Sequence, residues 1–235
     1  MSTNQTSKMA LAIFSKTPEL GQVKTRLAQS IGNKLALEFH LAFIADSLEN
    51  ISQLNTSIDC YLYLTKPWNL DTAPFPISLD TSRLSLKYQS NGDLGTRMQT
   101  AFQELFSTYK SVVIIGTDSP NLPLSYLEEA FLALSKQDCV IGPTIDGGYY
   151  LIGLNQGIKN FSEIFTNISW STEKVFLQTL NHLQTKSLIL HSLPIWYDID
   201  TLEDLIKLKH DLFISTNKSN KCSATSKLLK IIPID

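Results

Sequence analysis

Three cations lie within eleven positions in the stretch Phe14-Ser-Lys16-Thr-Pro18-Glu-Leu-Gly21-Gln-Val-Lys24-Thr-Arg26-Leu27. Charge of that density, from Lys16, Lys24 and Arg26, suits a pyrophosphate better than a single carboxylate. The stretch follows an apolar run and precedes a helical pattern from Thr25, and Pro18 and Gly21 mark it as a loop. A loop that leads from a strand into a helix is where α/β proteins hold phosphate, on backbone N–H groups and the helix dipole. A solvated basic loop is the alternative.

Asp118 ends the β-branched run Ser111-Val-Val-Ile-Ile-Gly-Thr-Asp118-Ser-Pro120. Facing a phosphate loop, it would be placed to hold Mg²⁺, which takes one or two carboxylates plus substrate phosphate oxygens. It could equally cap the turn before Pro120. In Asp146-Gly147-Gly148-Tyr149-Tyr150 the glycines allow close backbone approach, and the tyrosines offer flat faces of the kind that bind sugar rings. Asp-Gly is also a strong hairpin signal, and a hairpin tip over the site satisfies both readings. Arg97 starts another helix, where the dipole disfavours a cation unless an anion is present. In Trp196-Tyr-Asp198-Ile-Asp200-Thr-Leu-Glu203, Asp200 and Glu203 have capping-box-like spacing. Asp198 is then the better second metal carboxylate. Trp170 could stack on a base or sugar, or simply pack. His40, His182, His191 and His210 show no zinc-ligand spacing, and no hydrolase nucleophile arrangement occurs.

These residues need a scaffold that brings strand ends together. Apolar runs at Met9–Phe14, Ile58–Leu64, Leu84–Gln89, Ser111–Gly116, Cys139–Gly142, Tyr149–Leu154 and Leu188–Leu193 have strand length. Helical patterns lie at Lys34–Asn50, Thr96–Tyr109, Leu124–Leu134, Thr172–Thr185 and Thr201–Leu212. Alternation of this kind predicts a mostly parallel, doubly wound α/β sheet covered by helices. Residues 1–8 read as a disordered leader, 9–213 as one domain, and 214–235 as a linker and tail in which Leu228–Ile234 forms a short edge element. With 235 residues, 43% apolar and 18% charged, the chain is globular, and its net charge of −2 gives no reason to expect nucleic acid or an anionic membrane as partner. Cys60, Cys139 and Cys222 are far apart, which suits free thiols in a reducing cytoplasm. No stretch has the length of a membrane span. Oligomeric state is left open.

Together these segments resemble a bacterial family of glycosyltransferase-like proteins, the TIGR04282 or DUF2064 family, whose members are associated with arsenosugar biosynthesis or selenodomain proteins. The resemblance rests on the basic loop, Gly92-Asp-Leu-Gly-Thr-Arg-Met98, Gly116-Thr-Asp-Ser-Pro-Asn-Leu-Pro123, Gly142-Pro-Thr-Ile-Asp-Gly-Gly-Tyr-Tyr-Leu-Ile-Gly153, Trp170-Ser-Thr172 and Asp198-Ile-Asp-Thr-Leu-Glu-Asp-Leu205. It implies a glycosyltransferase-A-like three-layer α/β/α sandwich of the nucleotide-diphospho-sugar transferase superfamily, which also contains nucleotidylyltransferases. Where glycosyltransferases of this type carry Asp-x-Asp, this chain has Asp118-Ser-Pro. The expectation is therefore a transferase using a nucleotide sugar and a small-molecule acceptor, or an NTP in the nucleotidyl alternative. A non-catalytic nucleotide-sugar sensor is the third reading. Lys16, Gly21, Lys24, Arg26 and Arg97 would bind phosphate, Asp118 and Asp198 Mg²⁺ or Mn²⁺, and Gly147, Gly148, Tyr149 and Trp170 the sugar or acceptor. Asp146 would act as base or hydrogen-bond partner, and Lys24 would stabilise the leaving group.

Overall fold

The structure, a computed structural model, describes residues 8–69, 74–77, 82–213 and 222–231. In chain order the elements are β1 (Met9–Ser15), α1 (Thr25–Ile31), α2 (Asn33–Ile51), β2 (Ile58–Leu64), β3 (Leu84–Tyr88), α3 (Leu94–Leu105), β4 (Ser111–Gly116), α4 (Leu124–Leu134), β5 (Cys139–Pro143), β6 (Tyr149–Asn155), a 3₁₀ turn at Phe161–Phe165, α5 (Val175–Thr185), β7 (Leu190–Ser192), α6 (Leu202–Phe213) and α7 (Ser223–Ile231). The strands form one sheet in the order β3-β2-β1-β4-β6-β5-β7. All neighbours are parallel except β6, which runs antiparallel to both β4 and β5.

Central strands read as continuous apolar runs because helices cover both faces of the sheet. One face carries Leu11, Ile13, Leu62, Val113 and Ile115 against α2 and α4, and the other carries Ala10, Ala12, Val112 and Ile114 against α3 and Phe165. A third apolar cluster lies outside the sheet, where Phe39, Ala42 and Phe43 of α2 meet Tyr197, Ile199, Leu205, Leu208 and Leu229. Helix α2 is thus buried on two sides, more than one amphipathic stripe would require.

The stretch read as linker and edge element folds differently at its end. From Ser223 it is a helix, α7, that docks on α2. Its N-terminal N–H groups at Ala224 and Thr225 donate to the two carboxylate oxygens of Asp46 at 2.7 and 2.9 Å. That satisfies orphan donors from another helix, which no local cap pattern reveals. The rest of the supposed edge element, 232–234, lies outside the described residues, as do residues 1–7 of the leader. All three cysteines are buried and free, and no described helix is long and apolar enough to cross a membrane.

Candidate active site

The carboxyl ends of β1 and β4 lie side by side, Phe14 opposite Gly116, and the β5–β6 hairpin tip sits beyond them. There a cavity of about 860 Å³ opens, and Lys16, Lys24, Arg26, Arg97, Asp118, Asp146, Gly148, Tyr149, Trp170 and Asp198 all line it. Gly21 and Gly147 do not. Gly21 gives the loop a positive φ of 76°. Gly147 (φ 86°) lets the hairpin tip press on the Glu173 backbone, where a Cβ would collide with the carbonyl. Phe176 N–H donates to the Gly147 carbonyl at 2.8 Å and closes that contact.

The three cations of the basic loop are not equivalent. Lys24 stands at the start of α1 in the left-handed region (φ 46°), and its side chain is only 3% exposed. Its ammonium donates to the Ile199 carbonyl at 2.7 Å and pairs with Asp118 at 2.5 Å and Asp200 at 3.1 Å. An ammonium has three hydrogens, so these partners use them all. Burial pulls its pKa down, but Asp118 and Asp200 outweigh burial and hold it above the usual lysine value. Asp118 is correspondingly held below the usual carboxylate range: burial alone would raise it, and Lys24 prevails. Lys24 is therefore a pin between strand ends. Lys16 and Arg26 are exposed and Arg97 is half-buried, and none has an ion-pair partner among the described residues. Arg97 Nε donates to the Gly92 carbonyl at 2.9 Å, while the helix cap itself is Asp93, which accepts from Thr96 N–H at 2.8 Å.

The carboxylates come from the turn after β4, the β5–β6 hairpin tip and the segment after β7. The segment after β7 runs alongside Asp118: Ile199 N–H donates to the Asp118 carbonyl at 2.8 Å, and Ser119 Oγ donates to Asp198 at 2.5 Å. Asp198 is pushed up to about 7 by burial, with the charges of Asp118 and Asp146 adding to it. The expected Asp200/Glu203 capping box is replaced by one at the next position. Asp204 accepts from Thr201 N–H at 2.9 Å and Thr201 Oγ1 accepts from Asp204 N–H at 3.3 Å, which frees Asp200 for Lys24. Asp146 is oriented by Thr144 Oγ1 at 2.5 Å and Gly148 N–H at 3.1 Å. Trp170 lines the cavity, and its ring packs so closely on α3 that a Cβ at Gly95 would lie 2.7 Å away. Helix α5 starts at Val175, three residues after the expected Thr172, behind a turn in which Ser171 takes a left-handed φ of 65°.

Besides Asp200, read from the sequence as a cap, a second site residue was missed. His40 of α2 is 3% exposed, lines the cavity floor, and has Nε2 2.9 Å from the Lys16 carbonyl. Within the apolar pattern of α2 nothing distinguishes it from a packed residue, and only the fold brings it beneath the loop.

This sheet order, with a cavity at the carboxyl edge, defines the fold class of the nucleotide-diphospho-sugar transferases. The chain belongs to the DUF2064 family, uncharacterized proteins conserved in bacteria, whose profile it matches over residues 51–172. It is similar to a protein of Desulfovibrio desulfuricans G20, described provisionally as a nucleotide-diphospho-sugar transferase, at 30% identity and a TM-score of 0.80 over 95% of this chain and 97% of that one. A cytidylyltransferase of Leptospira borgpetersenii (18% identity, TM-score 0.55, 96% and 94% covered) shares the fold. So does 4-diphosphocytidyl-2C-methyl-D-erythritol synthase of Anaerococcus prevotii (13%, 0.53, 88% and 96%). No curated protein matches the chain.

Proposed function

We propose that the protein transfers a sugar from a nucleoside-diphosphate donor to a small-molecule acceptor. The observation that carries this reading is the lining of the cavity: Lys16, Arg26 and Arg97, without ion-pair partners among the described residues, share it with oriented carboxylates and aromatic rings. The cations suit a diphosphate and the rings a sugar. The relative at 30% identity, provisionally a nucleotide-diphospho-sugar transferase, supports the donor class.

The donor set also fits a hard divalent ion. Asp118 and Asp198 offer oxygen ligands, and the carboxyl of Asp198 is raised first by burial and then by the negative charges of Asp118 and Asp146, which a cation would offset. Among the described residues no group of three or more His, Cys, Asp or Glu could hold a metal alone, so phosphate oxygens and water would complete the shell. Bound there, Mg²⁺ would neutralise charge on the diphosphate. The chain's own residues account for the rest. Lys16 and Arg26 stabilise the departing nucleoside diphosphate as the bond from its oxygen to the sugar C1 breaks. Asp146 accepts the proton of the acceptor hydroxyl that attacks C1, or holds a sugar hydroxyl. Lys24 keeps Asp118 ionised and fixed.

A panel of nucleotide sugars and NTPs with Mg²⁺ tests the proposal. Release of UDP or GDP is the expected result. Pyrophosphate released from an NTP would replace it with nucleotidyl transfer, and binding without turnover with a sensor.

A further inference from the structure

Beneath the cavity floor, polar side chains from three elements meet. Ser15 ends β1, Thr117 follows β4, and His40 projects from α2, each 5% exposed or less. Thr117 Oγ1 donates to Ser15 Oγ at 3.1 Å, and Ser15 Oγ donates to the Lys16 carbonyl at 3.1 Å. His40 Nε2 approaches the same carbonyl at 2.9 Å. A carbonyl can only accept, so Nε2 carries the ring hydrogen. Nδ1 is left buried with no partner. Across the same peptide unit, Thr17 N–H donates to Thr65 Oγ1 at 3.0 Å. The Lys16–Thr17 peptide is thus held by both its edges.

Packing alone does not call for a histidine here. The neighbours Phe39, Leu41, Ala42 and Phe43 are all buried apolar residues, and a leucine would avoid desolvating a ring nitrogen. We infer that His40 is a positioning residue: by fixing the Lys16 peptide it aims the Lys16 side chain at the diphosphate of the substrate. The inference rests on the phosphate-binding reading above. Burial holds the ring below its ordinary pKa, so it stays a neutral Nε2–H donor through the physiological range. Through Ser15 and Thr117 the same chain of hydrogen bonds reaches the residue before Asp118 and links the Lys16 loop to that turn.

Calorimetric titration with inorganic pyrophosphate tests this on wild type, His40→Leu, His40→Asn, His40→Gln, Lys16→Ala and the His40→Leu/Lys16→Ala double variant. The loss of one positioning hydrogen bond predicts about tenfold weaker binding in His40→Leu. His40→Asn, too short to reach the carbonyl, should behave alike and decides the matter if the leucine variant does not fold. His40→Gln, whose amide can donate in place of Nε2, should recover to within about threefold. In the Lys16→Ala background His40→Leu should add almost nothing, because its effect passes through Lys16. Wild-type affinity in the Leu or Asn variant, or an equal loss with and without Lys16, overturns the inference alone. A folded wild type that ignores pyrophosphate overturns the phosphate reading and this inference with it.

Discussion

On the β1 side of the cavity, Lys16 and Arg26 reach into solvent with no partner among the described residues. Around the β5–β6 tip, the turn after β4 and the segment after β7, polar groups are tied to one another: Asp146 to Thr144 and Gly148, Gly147 to Phe176, Asp198 to Ser119. Lys24 belongs by sequence to the first side and by contact to the second. The difference separates two tasks. Unpaired surface cations cost little until an anion arrives, so they can be kept ready for a polyanion. A network of mutual hydrogen bonds instead sets a shape, which a neutral sugar or a proton transfer requires.

The largest effect should come from emptying the first side. Lys16→Ala/Arg26→Ala removes two charge-assisted contacts, each about 1.5–3 kcal/mol, and should weaken pyrophosphate binding roughly 100-fold or more. Its stability should stay within about 0.5 kcal/mol of wild type, as for surface changes. A large loss of stability in urea unfolding would mean that these cations are structural and the contrast false.

Lys24→Met should do the reverse. Breaking a buried ion pair costs about 3–5 kcal/mol, but Asp118 and Asp200 are 48% and 44% exposed, and solvent discounts this to about 2 kcal/mol. Urea unfolding reads it directly. An unchanged midpoint would return Lys24 to the phosphate-binding group.

The smallest effect concerns the support of α2. Asp46 has its carboxyl raised from 3.8 to about 6 by burial. Folding therefore binds its proton more tightly than the unfolded chain does. The stabilisation is fullest below about pH 4, falls as pH rises through 6, and is level beyond. Between about pH 5 and 7 the loss is about 1 kcal/mol. The difference in stability between wild type and Asp46→Asn, followed across that window, should show this slope, and parallel curves would remove Asp46 as its source.

How much of this could be read from the chain follows from contact range. The strands were legible because buried parallel strands need unbroken apolar runs. That Lys16 and Asp118 would meet followed from both residues standing just beyond strand ends in a parallel sheet. The Asp146–Gly148 hairpin announced itself by turn chemistry. What escaped depended on partners far away in sequence. Lys24 finds Ile199 and Asp200 across about 175 positions, and its pairing removes it from the free cations. Asp200 looked like a cap because Thr201 and Asp204 carry an equivalent pattern one position later. His40 is indistinguishable from a core residue until the loop above it is in place.

The docking of α7 bears on solubility. Helix α2 shows the sheet one apolar face and shows α6 and α7 another, with Ala42, Phe43 and Ala45 among Ala224, Leu228 and Leu229. A chain cut after Phe213 would expose part of this second face to water and leave Asp46 without the N–H groups it caps. Contiguous apolar surface of that kind drives self-association. Shortened versions of the protein should therefore precipitate or oligomerise even though no residue lining the cavity has been removed.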